Sequence, residues 1–445
     1  MIIASSLWGS YWQRPATRYN LLMRFSTALV ALTLLAASAL AQNGSKVEPG
    51  PKSVTVPVTL DHNRVVIDVY LPLPEGSTKR VRGWVDSGDT DVWMSRRAAT
   101  LMGLTITCDE KECSAPPPAA ITIGEMKIPL SAIKRVRIPL KSANAASVMA
   151  PGMSAEIKIP SPVLRNYDVF INFPDREFSM GLPGSLKFKG VKSKMLVNAD
   201  GLIQIPSRIE NKNYNLGLDV GSSISFLSEE LLDKLAAAHA DWPHMTGAVG
   251  PANMWGGADE TKWKLMRVDR IQYGPLYLTD VAVVALDKDA MAFFEKRGGL
   301  VTAGLIGTNA LMNYRIGLDF AHSAIYFDLG STFKFPDFDV VGLILRPEDD
   351  TQYTILGVAD FDGRPSVSAG DDGVRAGDHL VAVDGIPVPD STMGQVWSLL
   401  EGTPGQERKL TVERGGKQFA VTAKVRHFLG EAEENQSKEK SAKKE

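Results

Sequence analysis

Apolar and polar residues alternate in two adjacent runs, Val54 to Leu60 and Val65 to Leu71, around Asp61-His62-Asn63. A period of two is the pattern of a half-buried strand, and Asp and Asn at the break supply turn chemistry, so a β-hairpin is predicted. Helical signals are few. Ser95 is placed to cap a short helix that stops near Gly103. Ser228 opens a longer one, with Glu229 and Glu230 in its first turn and Leu231, Leu232, Leu235 and Ala238 at helical spacing, a stripe expected to pack on a sheet.

The pattern then repeats. Val85-Asp86-Ser87-Gly88 returns as Leu218-Asp219-Val220-Gly221, and both Asp residues and the helix-opening Ser95 and Ser228 are offset by 133 residues. Leu164-Arg165-Asn166-Tyr167 through Phe173 parallels Leu311-Met312-Asn313-Tyr314 through Phe320, each leading into a further strand. Between these landmarks, Ile123-Gly124-Glu125-Met126-Lys127-Ile128 is weakly matched by Tyr273-Gly274-Pro275-Leu276-Tyr277-Leu278. Ordered matches of this kind predict two homologous, mainly β lobes, about 54–190 and 195–333. An Asp-x-Gly turn made twice can bring two carboxylates face to face. Such a pair cannot ionise twice at contact distance, so it shares a proton and can activate water.

After Pro336 the pattern changes. A strand at Tyr353 to Val358 and a Gly/Asp-rich loop precede Val374-Arg375-Ala376-Gly377-Asp378-His379-Leu380-Val381-Ala382-Val383-Asp384-Gly385. A helix over Met393 to Leu400 and two strands around Arg414-Gly415-Gly416 complete a domain at 338–428, and 429–445 is a mixed-charge tail expected to be disordered. At the other end, Arg24, the apolar run Ala28 to Ala37 and Ala39-Leu40-Ala41 read as a secretory signal over 1–41, followed by a linker at 42–53. Translation starts at Met1 or Met23; an uncleaved anchor is the alternative to a signal, and after cleavage no stable membrane span is expected.

Composition narrows the chemistry. The chain has 445 residues and a formal charge of −2, which gives no electrostatic reason to expect nucleic acid or an anionic membrane. Its two cysteines, Cys108 and Cys113, would close a small loop in an oxidising compartment; two free thiols are the alternative. The six His are scattered, no metal site is expected, and Gly-x-Ser-x-Gly, His-Glu-x-x-His and Walker motifs are absent.

Trp84-Val85-Asp86-Ser87-Gly88, Leu218-Asp219-Val220-Gly221-Ser222-Ser223 and Ala303-Gly304-Leu305-Ile306-Gly307 resemble the retropepsin-like and pepsin-like aspartic proteases. The resemblance implies a mainly β fold in which two tandem retropepsin-like lobes form a pepsin-like bilobed unit. It makes Asp86 and Asp219 a catalytic dyad, with Ser87, Gly88 and Gly221 shaping its turns, and implies no metal or organic cofactor. In active relatives a hydroxyl follows each Asp; Ser87 keeps it and Val220 does not, and Asp89 stands where a small residue is usual. The apolar-apolar-Gly segment of the first lobe is at best Val148-Met149-Ala150-Pro151-Gly152. Gly247 to Asp259, with Trp255, Gly256 and Gly257, offers a flap in the second lobe, and Cys108 to Pro118 occupies the flap region of the first.

Residues 338–428 resemble a PDZ domain of the type attached to exported bacterial proteases, through Arg375-Ala376-Gly377-Asp378 to Asp384-Gly385. By that resemblance Gly342-Leu343-Ile344-Leu345 would receive a peptide C-terminus at a strand edge. The expectation is therefore a periplasmic or secreted bacterial endopeptidase acting on proteins or peptides, its PDZ domain recruiting C-termini. The alternatives are a pseudoprotease that binds peptides without cleaving them, and lobes that pair with their like across chains.

Overall fold

The two Leu-x-Asn-Tyr segments lead into strands that pair with each other. In the computed structural model, which describes residues 50–110, 112–140, 155–298, 302–333, 338–348, 352–370 and 373–430, strand Asp168–Asn172 pairs antiparallel with Tyr314–Asp319, Phe170 opposite Gly317. They are the middle of a six-stranded sheet ordered Ser53–Pro57, Glu177–Gly181, Asp168–Asn172, Tyr314–Asp319, Ala324–Leu329, Val191–Lys194. The halves of the repeat thus share one sheet within one chain. The expected signal segment, most of the linker, Val148 to Gly152 and the tail beyond Gly430 lie outside the described residues.

Above this sheet each lobe builds its own. The first runs Ile157–Pro160, Thr78–Asp86, Arg64–Pro72, Ala120–Ile123, Met126–Pro129; the second has eight strands, with Lys212–Leu218 beside Gly304–Ile306. Alternating Val, Ile and Leu residues from both lobes bury into one core, among them Val65, Ile67, Val69, Leu71, Leu216 and Ile316. Both predicted helices form. Ser95 Oγ accepts from Ala98 N (3.0 Å) and Ser228 Oγ from Leu231 N (3.3 Å), capping Arg96–Leu101 and Glu229–Ala238. Leu231, Leu232 and Leu235 are buried, as the stripe requires.

The first hairpin is shorter than its alternation suggests. Only Thr59–Asp61 folds onto Arg64–Pro72, through His62 and Asn63 at φ 51° and 60°. Two consecutive residues with positive φ are the requirement of a tight two-residue hairpin turn. Ser53–Pro57 instead pairs with Glu177–Gly181 in the shared sheet. Period two fixes which face a strand buries; it does not choose the partner.

The third module is a five-stranded path, Leu343–Pro347, Tyr353–Val358, His379–Val383, Glu407–Arg414, Lys417–Lys424, with helix Met393–Leu400. Thr392 and Gln395 form a capping box at that helix, and Gly415 and Gly416, at φ 55° and 76°, make the last hairpin turn. Its apolar residues, including Leu343, Trp397 and Phe428, join Phe226, Met254 and Val284 of the second lobe in one continuous core. The module reaches Leu429, which is buried and whose carbonyl accepts from Arg267 Nε at 2.9 Å, so the tail starts later than 429. Among the described residues no helix is long and apolar enough to cross a membrane.

Candidate active site

Strand Thr78–Asp86 delivers Asp86 into one turn, and strand Lys212–Leu218 delivers Asp219 into the other. Each carboxylate is held by its own turn: Gly88 N donates to Asp86 Oδ1 (2.9 Å) and Gly221 N to Asp219 Oδ1 (2.8 Å). The turns interlock. A methyl group on Gly88 would overlap the Asp219 carboxylate, and one on Gly221 would lie 2.6 Å from Asp86 Oδ1. The glycines are needed because each carboxylate packs on the opposite turn, and this crossing brings Asp86 and Asp219 together.

Ser87 ties the turns from below. Its Oγ donates to Leu218 O (2.9 Å) and accepts from Val220 N (3.0 Å), across the lobe boundary. Val220 is fully buried and offers no return hydroxyl. Half of a reciprocal grip is therefore present, and Ser161, whose Oγ donates to Ser87 O at 2.7 Å, braces it.

The first-lobe counterpart of Leu305-Ile306-Gly307 is Lys158-Ile159-Pro160. Ile157–Pro160 runs parallel to Thr78–Asp86 with Pro160 opposite Asp86, as Gly304–Ile306 runs parallel to the second Asp strand with Ile306 opposite Leu218. Ser161 N donates to Asp89 O and Thr308 N to Ser222 O, completing the correspondence. The expectation at Val148 to Gly152 is corrected accordingly. Lys and Pro hide the segment from any search for an apolar-apolar-Gly motif.

Lys158 thus occupies the position of Leu305, and Asp89 that of Ser222. The ammonium, 1% exposed, contacts Asp86 Oδ2 at 3.3 Å, forms an ion pair with Asp89 and lies 5.3 and 5.7 Å from the centres of the Trp84 and Trp93 rings. A buried cation needs such partners. Lys158 and Asp89 cancel, leaving the dyad with the charge it would have without either. Arg64, also buried, lies over the other approach to Trp84 at 5.2 Å and donates to Met254 O at 3.0 Å.

Burial pushes the Asp86 carboxyl above the ordinary carboxylate range; the Lys158 charge pulls it back and Asp89 pushes it up. Asp219 is raised well above that range, by burial first and then by the Asp86 charge. The Lys158 ammonium contacts Asp86, so the two carboxyls sit in unlike surroundings while titrating as one coupled pair. Beside Asp219 and Gly88 lies a small cavity of about 70 Å³, walled by Leu202, Ile203, Leu286, Met291, Phe294 and Leu305. It has the size of a side chain, not of a cofactor. Among the described residues no group of three or more His, Cys, Asp or Glu is arranged to hold a metal ion.

Other expected site residues fall elsewhere. Cys108 and Cys113 are joined by a disulfide. Their loop packs with Val136–Ile138 in a three-stranded sheet. Trp255, Gly256 and Gly257 lie in the long connection between the antiparallel strands His244–Thr246 and Lys264–Tyr273, and that connection is packed against the third module rather than free as a flap. Trp255 stacks on Phe226 (5.8 Å), and Gly256 lies against Arg346 of the third module. Glu260 gathers this loop by accepting from Asn253 Nδ2 (2.5 Å), Trp255 N (2.7 Å) and Gly257 N (3.2 Å), and burial raises its pKa to about 7. Leu343, Ile344 and Leu345, expected at an open peptide-binding edge, are buried; Gly342 packs against Ser366 and Phe428, and Asn253 covers the edge at Leu345.

Fold and site together define two β lobes that share a sheet and cross their Asp turns, followed by a third module. Residues 368–414 match the PDZ domain family. No curated protein matches the chain. Solved structures similar to it include an aspartic proteinase from Irpex lacteus, at 11% identity and TM-score 0.39, covering 63% of this chain and 98% of that one. Conglutin gamma, a basic 7S globulin from lupine seeds, is similar at 8% identity and TM-score 0.37, covering 62% of this chain and 95% of its own.

Proposed function

We propose that the chain is an aspartic-type endopeptidase with an asymmetric dyad. The observation that carries this reading is the mutual seating of the Asp86 and Asp219 carboxylates on Gly221 and Gly88. In the proposed reaction Asp86, ionised beside Lys158, takes a proton from water as the water oxygen attacks the peptide carbonyl. Asp219 gives its proton to the carbonyl oxygen, and the dyad returns a proton to the departing amine. The apolar cavity beside Asp219 takes one substrate side chain. With both carboxyls raised, activity extends above the pH range of ordinary carboxylates. Export to a periplasmic or extracellular space is part of the proposal, supported by the signal-like pattern in residues 1–41 and by the Cys108–Cys113 disulfide.

A pool of quenched-fluorescent peptides assayed from acid to neutral pH tests the reading. Asp86→Asn and Asp219→Asn should each lower kcat/KM by about a thousandfold or more, and pepstatin should inhibit the wild type. Cleavage by both variants at the wild-type rate would refute the dyad. The rival reading, peptide binding without cleavage, is favoured by one feature: the Lys158 contact that ties up Asp86. Saturable peptide binding with no turnover at any pH would select it.

A further inference from the structure

A PDZ domain binds a peptide by adding it to a free strand edge. Leu343–Pro347 is the edge strand of its sheet, paired on one side only with Tyr353–Val358. Its other side is not open. The Asn253 carboxamide donates to Leu345 O and accepts from Leu345 N, both at 3.0 Å and buried, reproducing the two bonds that one residue of an added strand would make. Across the groove, helix Met393–Leu400 is met by the tip of the first lobe's hairpin. Asp61 Oδ1 accepts from Gly394 N at 2.9 Å, in the first turn of the helix, where a carboxylate is favoured. A side chain on Gly394 would overlap Asp61. His62, 8% exposed, stacks on Trp397 with ring centres 6.4 Å apart, and its Nε2 lies 3.0 Å from Asn253 O.

We propose that the groove of the PDZ domain is an internal docking site whose occupant is the chain's own Asp61–Arg64 turn, locked in place by Asn253. The turn and Asn253 together imitate a bound peptide chemically: the Asp61 carboxylate against backbone N–H, the Asn253 amide on the strand edge, the His62 ring against the helix. Gly394 follows from this. Glycine is a poor helix former, and here it is the residue that admits Asp61. The same turn continues into Arg64, which covers Trp84 two residues before Asp86. The domain thus clamps the frame of the site and meets an incoming C-terminus only in competition with the turn. This inference does not depend on the dyad being active.

The test uses the full chain, as wild type and as Asp61→Ala, Asn253→Ala and Asp61→Asn, which keeps an oxygen acceptor for Gly394. Amide exchange is followed over Leu343–Pro347 and Met393–Leu400, with the hairpin Glu407–Arg414/Lys417–Lys424 as internal control. Binding is followed by polarisation of fluorescent peptides ending in free Val, Leu or Phe carboxylates, against the same peptides amidated. The wild type and Asp61→Asn should exchange slowly and bind neither set. The alanine variants should exchange roughly tenfold faster at the groove, the loss of about one buried hydrogen bond, and gain binding of the carboxylate set alone. Carboxylate-selective binding by the wild type would overturn the proposal. So would unchanged exchange in both alanine variants, loosening that reaches the control hairpin equally, or local loosening with no gain of binding.

Discussion

Replacing Lys158 by Met keeps a long apolar stem in place and removes the charge. The Lys158–Asp86 contact is 3.3 Å; at an effective dielectric constant of about 20, a unit-charge pair at that distance is worth about 5 kcal/mol. That figure is a ceiling, because Asp89 shares the same ammonium and repels Asp86. Breaking one partner out of a buried ion pair costs about 3–5 kcal/mol, so Tm should fall by on the order of 10 °C. The sign with pH follows from Asp86. Its folded pKa is already raised, so its contribution to stability is present in acid and declines as pH rises through that value. Without Lys158 the pKa rises further, so the variant's deficit should grow as pH rises past the wild-type Asp86 value. If the dyad is active, the acid limb of its pH–rate profile should move to higher pH.

The decisive control is Lys158→Leu combined with Asp89→Ser, which gives the first lobe the Leu305 and Ser222 of the second. Removing both charges leaves no unpaired ion, so this double variant should recover to within about 1 kcal/mol of the wild type. Denaturant unfolding at several pH values reads all of this. A Lys158→Met chain as stable as the wild type, or a double variant no better than the single, would refute the argument that the two charges form a compensated unit.

Val220→Thr should restore the missing half of the grip, adding about 1 kcal/mol of stability through a new cross-lobe hydrogen bond and raising kcat without changing the pH profile; denaturant midpoints and single-turnover rates check it. Glu260 has a folded pKa of about 7 against 4.5, so its contribution is present below pH 4.5 and is lost as pH rises toward 7. Glu260→Gln should flatten that decline in a Tm-versus-pH series. His62 acts in the opposite sense: burial and the Arg64 charge lower its pKa from 6.5 to about 3, so stability is lost as pH falls between those values, and His62→Phe should remove that loss.

Much of the frame was legible because duplication wrote it twice. The Asp turns, both capped helices, the Leu-x-Asn-Tyr strands and the Gly-Asp to Asp-Gly core of the PDZ domain each carry local chemistry that survives in one sequence. What escaped was contact between distant segments. Lys158 carries no local signal, since nothing in Ile-Lys-Ile-Pro shows that two tryptophans and two carboxylates enclose it. Asp89 registered as an oddity because its partner lies 69 residues away. The Gly-rich Gly247 to Asp259 segment has the composition of a mobile flap, yet Asn253 and Glu260 tie it beneath the PDZ domain. Asp61-His62-Asn63 was readable as a turn but not as a ligand, for a turn's sequence reports its backbone and not what its tip touches.

The shared central sheet constrains how such a chain can reach its fold. Tyr314–Asp319 is the neighbour of Asp168–Asn172, so the first half, while it emerges alone, leaves one edge of this strand, with Val169, Phe170 and Ile171 at its centre, unpaired. Exposed edges of that kind template intermolecular pairing, and closing them here requires a loop of more than a hundred residues. The linear order of the gene therefore sets a vulnerable interval during synthesis. The last strands of the second lobe end it, well before the PDZ domain is complete.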